Sequence, residues 1–267
     1  MTVSFSDCCD ELLFKGNTQC QNSYNYWTRR PEIRAEVVPF VEGFTHSFLF
    51  RATRADYEAV VSTSGHALGN VQTSEQIREV EDFFTPFAFQ HLFHDYIETY
   101  QQLPTWEQFA QFMKGPAKPR YIQQVFNHFG FDAMNADDKY KLGRAIHWRL
   151  GKFYYSAMRE IELMIRLREE HGIHLKYHLL ADVLLRVDYW VDNVLLCVWF
   201  GNPMYRSQSA GGRKIKAATF FDAQDFTIMD IEVERQGHGN FWRVSDKSVA
   251  NIAQTVQAAL RQVVQPE

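Results

Sequence analysis

Four side chains in one short stretch, His91, His94, Asp95 and Glu98, are of the types that bind metal ions and move protons. His91 and Asp95 stand at i and i+4, as do His94 and Glu98, so a helix carrying them presents two bidentate faces. The stretch contains no H-E-x-x-H, and no Glu-x-x-His elsewhere completes a bundle-type site, so structural or solvated histidines are the competing reading. Asp188 is a second candidate, because it lies inside the apolar run Leu185-Arg-Val-Asp-Tyr-Trp-Val191, where a charge is costly unless paired. The plain alternative is a hairpin residue paired with Arg186 or Arg213. A third is the polar loop Gly201-Asn-Pro-Met-Tyr-Arg206 followed by Gly211-Gly-Arg-Lys214, whose Arg206, Arg213 and Lys214 suit a phosphate as well as they suit a plain surface loop. His171, His174 and His178 straddle a helix stop and a strand, and their spacing reads as structural.

Several chemistries have no motif here. G-x-S-x-G, the P-loop and the dinucleotide fingerprint do not occur, which leaves acyl transfer, NTP hydrolysis and hydride transfer without support. The cysteines, Cys8, Cys9, Cys20 and Cys197, show no C-x-x-C spacing and read as free thiols. The first residues lack a basic flank and a signal-length apolar run, and no segment approaches a membrane span. The expectation is therefore a cytoplasmic protein with no membrane partner.

The net charge of −4 argues against polyanion binding by bulk charge. Locally the balance reverses: from Thr105 to Lys152 there are eight Lys/Arg against four Asp/Glu, a net of +4. Within it the stretch Lys139 to Lys152 carries Arg144, Arg149 and Lys152, a candidate nucleic-acid surface that could equally be a solvated helical face.

These residues must be positioned by elements that the pattern outlines. The first 72 residues, with runs such as Glu36-Val-Val-Pro-Phe-Val41 and Ser47-Phe-Leu-Phe-Arg51 between glycines, predict short strands and loops. Residues 73–152 read as helical, with capping-box patterns at Thr73-Ser-Glu-Gln76 and Thr105-Trp-Glu-Gln108, a helix from Phe89 to Gln101, and another from Arg120 ending at Gly130. Two short helices joined by a tight turn could form a helix-turn-helix-like element or an ordinary helical subdomain. Residues 153–267 predict a mixed α/β domain. Its elements are a helix Phe153 to Glu170, extended segments His174 to Leu180, Leu184 to Val191 and Val194 to Phe200, a short helix Arg213 to Phe221, a strand Phe226 to Glu234 and a terminal helix capped by Ser245 and Asp246. Asp192-Asn193 is a hairpin-turn signal between the second and third segments.

The order helix, strand, strand hairpin, helix, strand resembles the core of the PD-(D/E)XK nuclease superfamily over Phe153 to about Gln236. The resemblance implies an α+β fold, a helical middle region followed by an α-β-β-β-α-β nuclease-like core with a C-terminal helix. It also implies a metal-dependent phosphodiesterase site in which carboxylates hold Mg²⁺ and a Lys orients water. Glu160 or Glu162 matches the first-helix carboxylate and Asp188 the second-strand Asp, making Glu162 and Asp188 the metal ligands. At the third motif stands Cys197-Val198-Trp199, which supplies neither carboxylate nor ammonium, while Lys214 and Lys216 offer a migrated lysine. The expectation is a nucleic-acid-associated protein with a degenerate nuclease-like domain, set in a mobile-element, phage or defence system. Arg144, Arg149, Lys152, Arg206, Arg213 and Lys216 are its nucleic-acid contacts. The alternative is a non-catalytic subunit using its aromatics, 15% of the chain, to engage a protein partner.

Overall fold

The computed structural model describes residues 2–75, 77–81, 83, 87–199, 216–238 and 241–264. Along the chain run α1 Phe5–Cys8, α2 Thr18–Arg29, α3 Val38–Glu42, α4 Ser47–Arg51, α5 Arg54–Thr63, α6 Arg78–Glu81, α7 Phe89–Tyr100, α8 Trp106–Lys114, α9 Gln123–Phe129 and α10 Ala136–His171. After them come β1 Tyr189–Val191, β2 Val194–Trp199, β3 Thr227–Glu232, β4 Arg235–His238, β5 Phe241–Val244 and α11 Asp246–Val264. The fold is thus mixed α/β, dominated by helix, with a three-stranded sheet in the order β1-β2-β3 and a two-stranded β4-β5 sheet. The chain divides into two compact units, one of residues 1–51, 162–237 and 243–267, the other of residues 52–161 and 238–242.

In the first unit, β2 is buried from Val194 to Val198, the continuous apolar run expected of a strand covered on both faces. It pairs antiparallel with β1 through a turn in which Asp192 takes φ +50, and parallel with β3 in the register Val194↔Thr227 to Trp199↔Glu232. Asp and Asn tolerate that left-handed conformation, which is why Asp192-Asn193 makes the hairpin. The segment read as a first strand is reduced to one bridge, Lys176↔Trp190. Residues Ala181–Leu185 form a π-turn instead, so β1 starts only at Tyr189. Glu11 ties the N-terminal segment to this sheet by accepting from Trp190 Nε1 at 2.5 Å and from Lys176 Nζ.

The strands expected in the first 72 residues are helices. Val37 and Val41 are both buried and stand at i and i+4, a helical spacing that a short β-branched run conceals, and Pro39 fits the first turn of α3. Ser47–Arg51, also read as extended, is α4, and Arg168 Nη1 of α10 donates to its Phe50 carbonyl at 2.6 Å.

In the second unit the aromatic excess finds its place. Phe93 of α7, Phe109 of α8 and Tyr154 of α10 meet with ring centroids 5.4 to 6.0 Å apart, and Tyr154 donates its hydroxyl to the Pro104 carbonyl at 2.8 Å. Thr105 and Gln108 close the expected capping box on α8, and Gly130, at φ +65, ends α9. The basic stretch and the helix predicted from Phe153 are one helix, α10, 36 residues long. Asn135 caps it by accepting from the Asp138 amide at 2.9 Å, and Gly172 stops it at φ +65.

Two glycines of α10 carry opposite predictions. A Cβ on Gly151 would lie 2.8 Å from both the Ala67 carbonyl oxygen and Leu68 Cδ2, so this helix is built to admit the 67–68 backbone. A Cβ on Gly143 meets nothing within 4 Å. In urea unfolding, Gly151→Ala is expected to destabilise by about 1–3 kcal/mol and Gly143→Ala to stabilise by about 0.5–1 kcal/mol. Equal effects of the two would contradict this packing.

Candidate functional site

Glu162, one of the two metal-ligand candidates, is 1% exposed rather than a solvated helix residue. Its Oε1 accepts from Arg243 Nε at 2.8 Å and its Oε2 from the Val244 amide at 2.9 Å. One turn on, Arg166 donates to the Val244 carbonyl at 3.0 Å, to Asp246 at 2.7 Å and to Glu170 at 2.7 Å. The two polar groups of the Val244 backbone are therefore held by an i, i+4 pair on α10. The sequence reading missed Arg166 and Arg243; the spacing Glu162, Arg166, Glu170 was the available signal.

Asp188 lies one residue before β1, at the edge of the sheet rather than on its middle strand, which is β2. Its amide donates to Leu196 O at 3.0 Å, continuing the ladder, and its carboxylate accepts from the Val198 amide at 2.6 Å. The carboxylate thus replaces the backbone acceptor that β1 no longer supplies. At the third-motif position, Cys197 is buried with its Sγ on the Arg186 carbonyl at 3.3 Å, and β2 sets Cys197 and Trp199 opposite Asp230 and Glu232 of β3.

These residues do not fit a Mg²⁺ site. A hard cation wants several carboxylate oxygens facing it, whereas both oxygens of Glu162 face N–H donors, one of them cationic. Among the described residues, no group of three or more His, Cys, Asp or Glu could hold a metal ion. Glu160 is half-buried and accepts from the Ser156 hydroxyl at 3.2 Å. Lys214, Arg206 and Arg213 lie outside the described residues, and Lys216 is exposed.

Arg144 is spent internally. It grips Glu75 through Nε and Nη2, both at 2.7 Å, and Asn70 through Nη1 at 2.6 Å, and this bidentate bond holds the Glu75 carboxyl down at about 2. Arg149 is half-buried on α10, whereas Lys152 is exposed with its Nζ 5.4 Å from the Trp148 ring centroid.

The His91 cluster is divided among separate partners. His91 is buried against Phe87, its Nδ1 3.2 Å from the Ala88 carbonyl, while Asp95 accepts from Arg120 and from the Tyr121 hydroxyl, each at 3.2 Å. Burial raises the Asp95 carboxyl against the pull of Arg120. His178, whose spacing reads as structural, forms a buried imidazole pair with His46, which the sequence reading did not single out. The rings stand edge to face at 5.0 Å, and their nitrogens accept the amides of Leu179 at 3.2 Å and Leu180 at 3.1 Å. The thiols of Cys8, Cys9 and Cys20 are all raised by burial, the latter two to about 11, which makes them poor nucleophiles.

No protein-family model matches the chain, and neither a curated protein nor a solved structure matches it. Among the described residues no helix is long and apolar enough to cross a membrane.

Burial lowers His91 and His178 to about 4, each from an ordinary 6.5. Between those values the unfolded chain binds protons that the folded chain refuses. Stability is therefore full above about pH 6.5, falls as the pH drops, and stops falling from this cause below about pH 4. By pH 5 each histidine is expected to cost about 2 kcal/mol. Urea midpoints at pH 7 and pH 5 should differ accordingly, and His178→Gln should narrow the gap; a flat profile over this range would refute it.

Proposed function

We propose that this chain is a non-catalytic nucleic-acid-binding protein built on a nuclease-like core, in which the acids of the ancestral pattern serve the fold. The observation that carries this reading is the commitment of Glu162 to Arg243 and the Val244 amide, reinforced by Asp188 capping the Val198 amide. The order of elements supports the nuclease-like core: helix α10, the bridge at Lys176, the β1-β2 hairpin, a 3-10 turn at Ala217–Thr219, and β3. The nucleic-acid part rests on the local excess of positive charge from Thr105 to Lys152.

A specific surface feature favours a second reading, a protein-interaction subunit. Phe14 and Tyr26 are 64% and 73% exposed, and α2, which carries Tyr26, has Arg29 as its one charged residue. Depletion of charge with exposed aromatics is the composition of an interface centre.

The deciding assay incubates wild type and Asp188→Ala with single- and double-stranded DNA and RNA in Mg²⁺ and then Mn²⁺, alongside a gel-retardation series. The expected result is no cleavage by either protein and retardation at low salt that weakens steeply as salt rises. Cleavage lost in Asp188→Ala would overturn the non-catalytic reading, and absence of retardation at low salt would put the protein-interaction reading ahead.

A further inference from the structure

The second unit carries a ladder of two stacked rings with a lysine at either end. Gly130 ends α9 in the left-handed conformation and turns the chain into Phe131–Ala133, a single 3-10 turn. That reversal lays the Phe131 ring on Phe126 of α9, with centroids 4.2 Å apart and planes 17° apart. Each ring covers one face of the other. Lys118 Nζ lies 5.8 Å from the Phe126 centroid, and Lys139 Nζ lies 5.3 Å from the Phe131 centroid.

Both rings are half-buried and Lys118 is exposed, so the array stands at the surface. Lys139 Nζ donates to the Asp132 carbonyl at 3.3 Å, which spends one proton of the ammonium and none of its charge. The nearby acids are largely engaged, Asp137 with Lys141 at 2.5 Å and Asp138 with the Asn135 amide group at 2.8 Å, leaving Asp132 as the remaining acid of residues 131–139.

Resting on the nucleic-acid reading above, we propose that this ladder grips single-stranded nucleic acid, with bases on the outer faces of Phe126 and Phe131 and phosphates on Lys118 and Lys139. The argument is one of exchange. A lysine resting on a ring in water makes a weak contact, and a nucleobase stacked on the same face makes a stronger one. A base arriving at either ring frees the ammonium beside it, and the freed ammonium has the backbone phosphate of that same nucleotide within a side chain's reach. A duplex cannot make this exchange, because its bases are already stacked on one another and paired. Stacking accepts any base, so the site is tolerant of sequence and selective for unpaired strands.

The test is fluorescence anisotropy of the full chain with labelled oligo-dT and oligo-U of about twenty nucleotides and with a duplex of equal length. The wild type is expected to prefer the single strands by about tenfold or more. Phe126→Leu and Phe131→Leu, which keep the apolar volume, should each weaken single-strand binding about tenfold and leave duplex binding unchanged. Lys118→Gln and Lys139→Gln should each lower the slope of log affinity against log salt by about 0.7. The lysine variants alter only side-chain ends and keep the proposal falsifiable if a phenylalanine variant fails to fold. If the wild type binds nucleic acid but the lysine variants keep its affinity and salt slope, or if duplex binds as tightly as single strand, this site is wrong while the nucleic-acid reading survives. If the wild type binds no nucleic acid at low salt, both fall.

Discussion

The first unit turns on a small electrostatic clamp. Val244, the last residue of β5, has its amide bound to Glu162 and its carbonyl bound to Arg166, both on α10. A carboxylate at 1% exposure and a guanidinium at 6% survive burial only when paired and hydrogen-bonded, and here Arg243, Asp246 and Glu170 complete the set. Breaking one member leaves a buried charge stranded, a loss of several kcal/mol in comparable buried pairs, roughly 3–5. The clamp fixes where β5 ends and therefore where α11 begins, since Ser245 follows immediately and caps α11 by accepting from the Ser248 amide at 3.2 Å.

The clamp also decides what Glu162 can do. Both of its oxygens are turned toward N–H donors, Arg243 and the Val244 amide, rather than toward a shared cation position. Asp188 is under a parallel constraint at the sheet edge, where its carboxylate completes the hydrogen bonding of β2. Both acids thus answer to backbone amides, and on the function proposed above it is the surface of the chain that meets nucleic acid. That surface is cationic and aromatic in the segment from Lys118 to Lys139, where Gly130 makes the turn that stacks Phe131 on Phe126.

What the sequence made legible was whatever depends on neighbours along the chain. The Thr105 capping box, the Gly130 stop, the Asp192-Asn193 turn and the Ser245 cap are all local chemistry, and each stands where it was read, while the strand read over Phe226 to Glu234 forms over Thr227–Glu232. The elements that were misread are short apolar runs whose state tertiary packing selects. Val37 and Val41 fit a strand face or a helix face equally, and burial chose the helix. The segment around Lys176 has strand composition but, among the described residues, pairs through a single bridge to Trp190. The site was less legible still. Glu162, Arg166 and Glu170 look like an ordinary solvated helix stripe until β5 is folded onto them, and no local pattern announces β5, whose Arg243 and Val244 come from 81 and 82 residues further on. The buried His46 and His178 likewise meet across 132 residues of sequence.

The most direct test of the central claim, that Glu162 is a structural acid, is a double-mutant cycle in urea unfolding with Glu162→Gln, Arg243→Met and the pair, read without and with millimolar Mg²⁺. Acids kept for catalysis are commonly a burden on the fold, so replacing one tends to stabilise, whereas a clamping acid behaves in the opposite way. The account predicts that Glu162→Gln destabilises by about 3 kcal/mol or more, that Arg243→Met restores part of the loss, and that Mg²⁺ shifts none of the midpoints. A Glu162→Gln variant as stable as wild type or more so, together with a Mg²⁺-dependent stabilisation seen only when Glu162 is present, would contradict it.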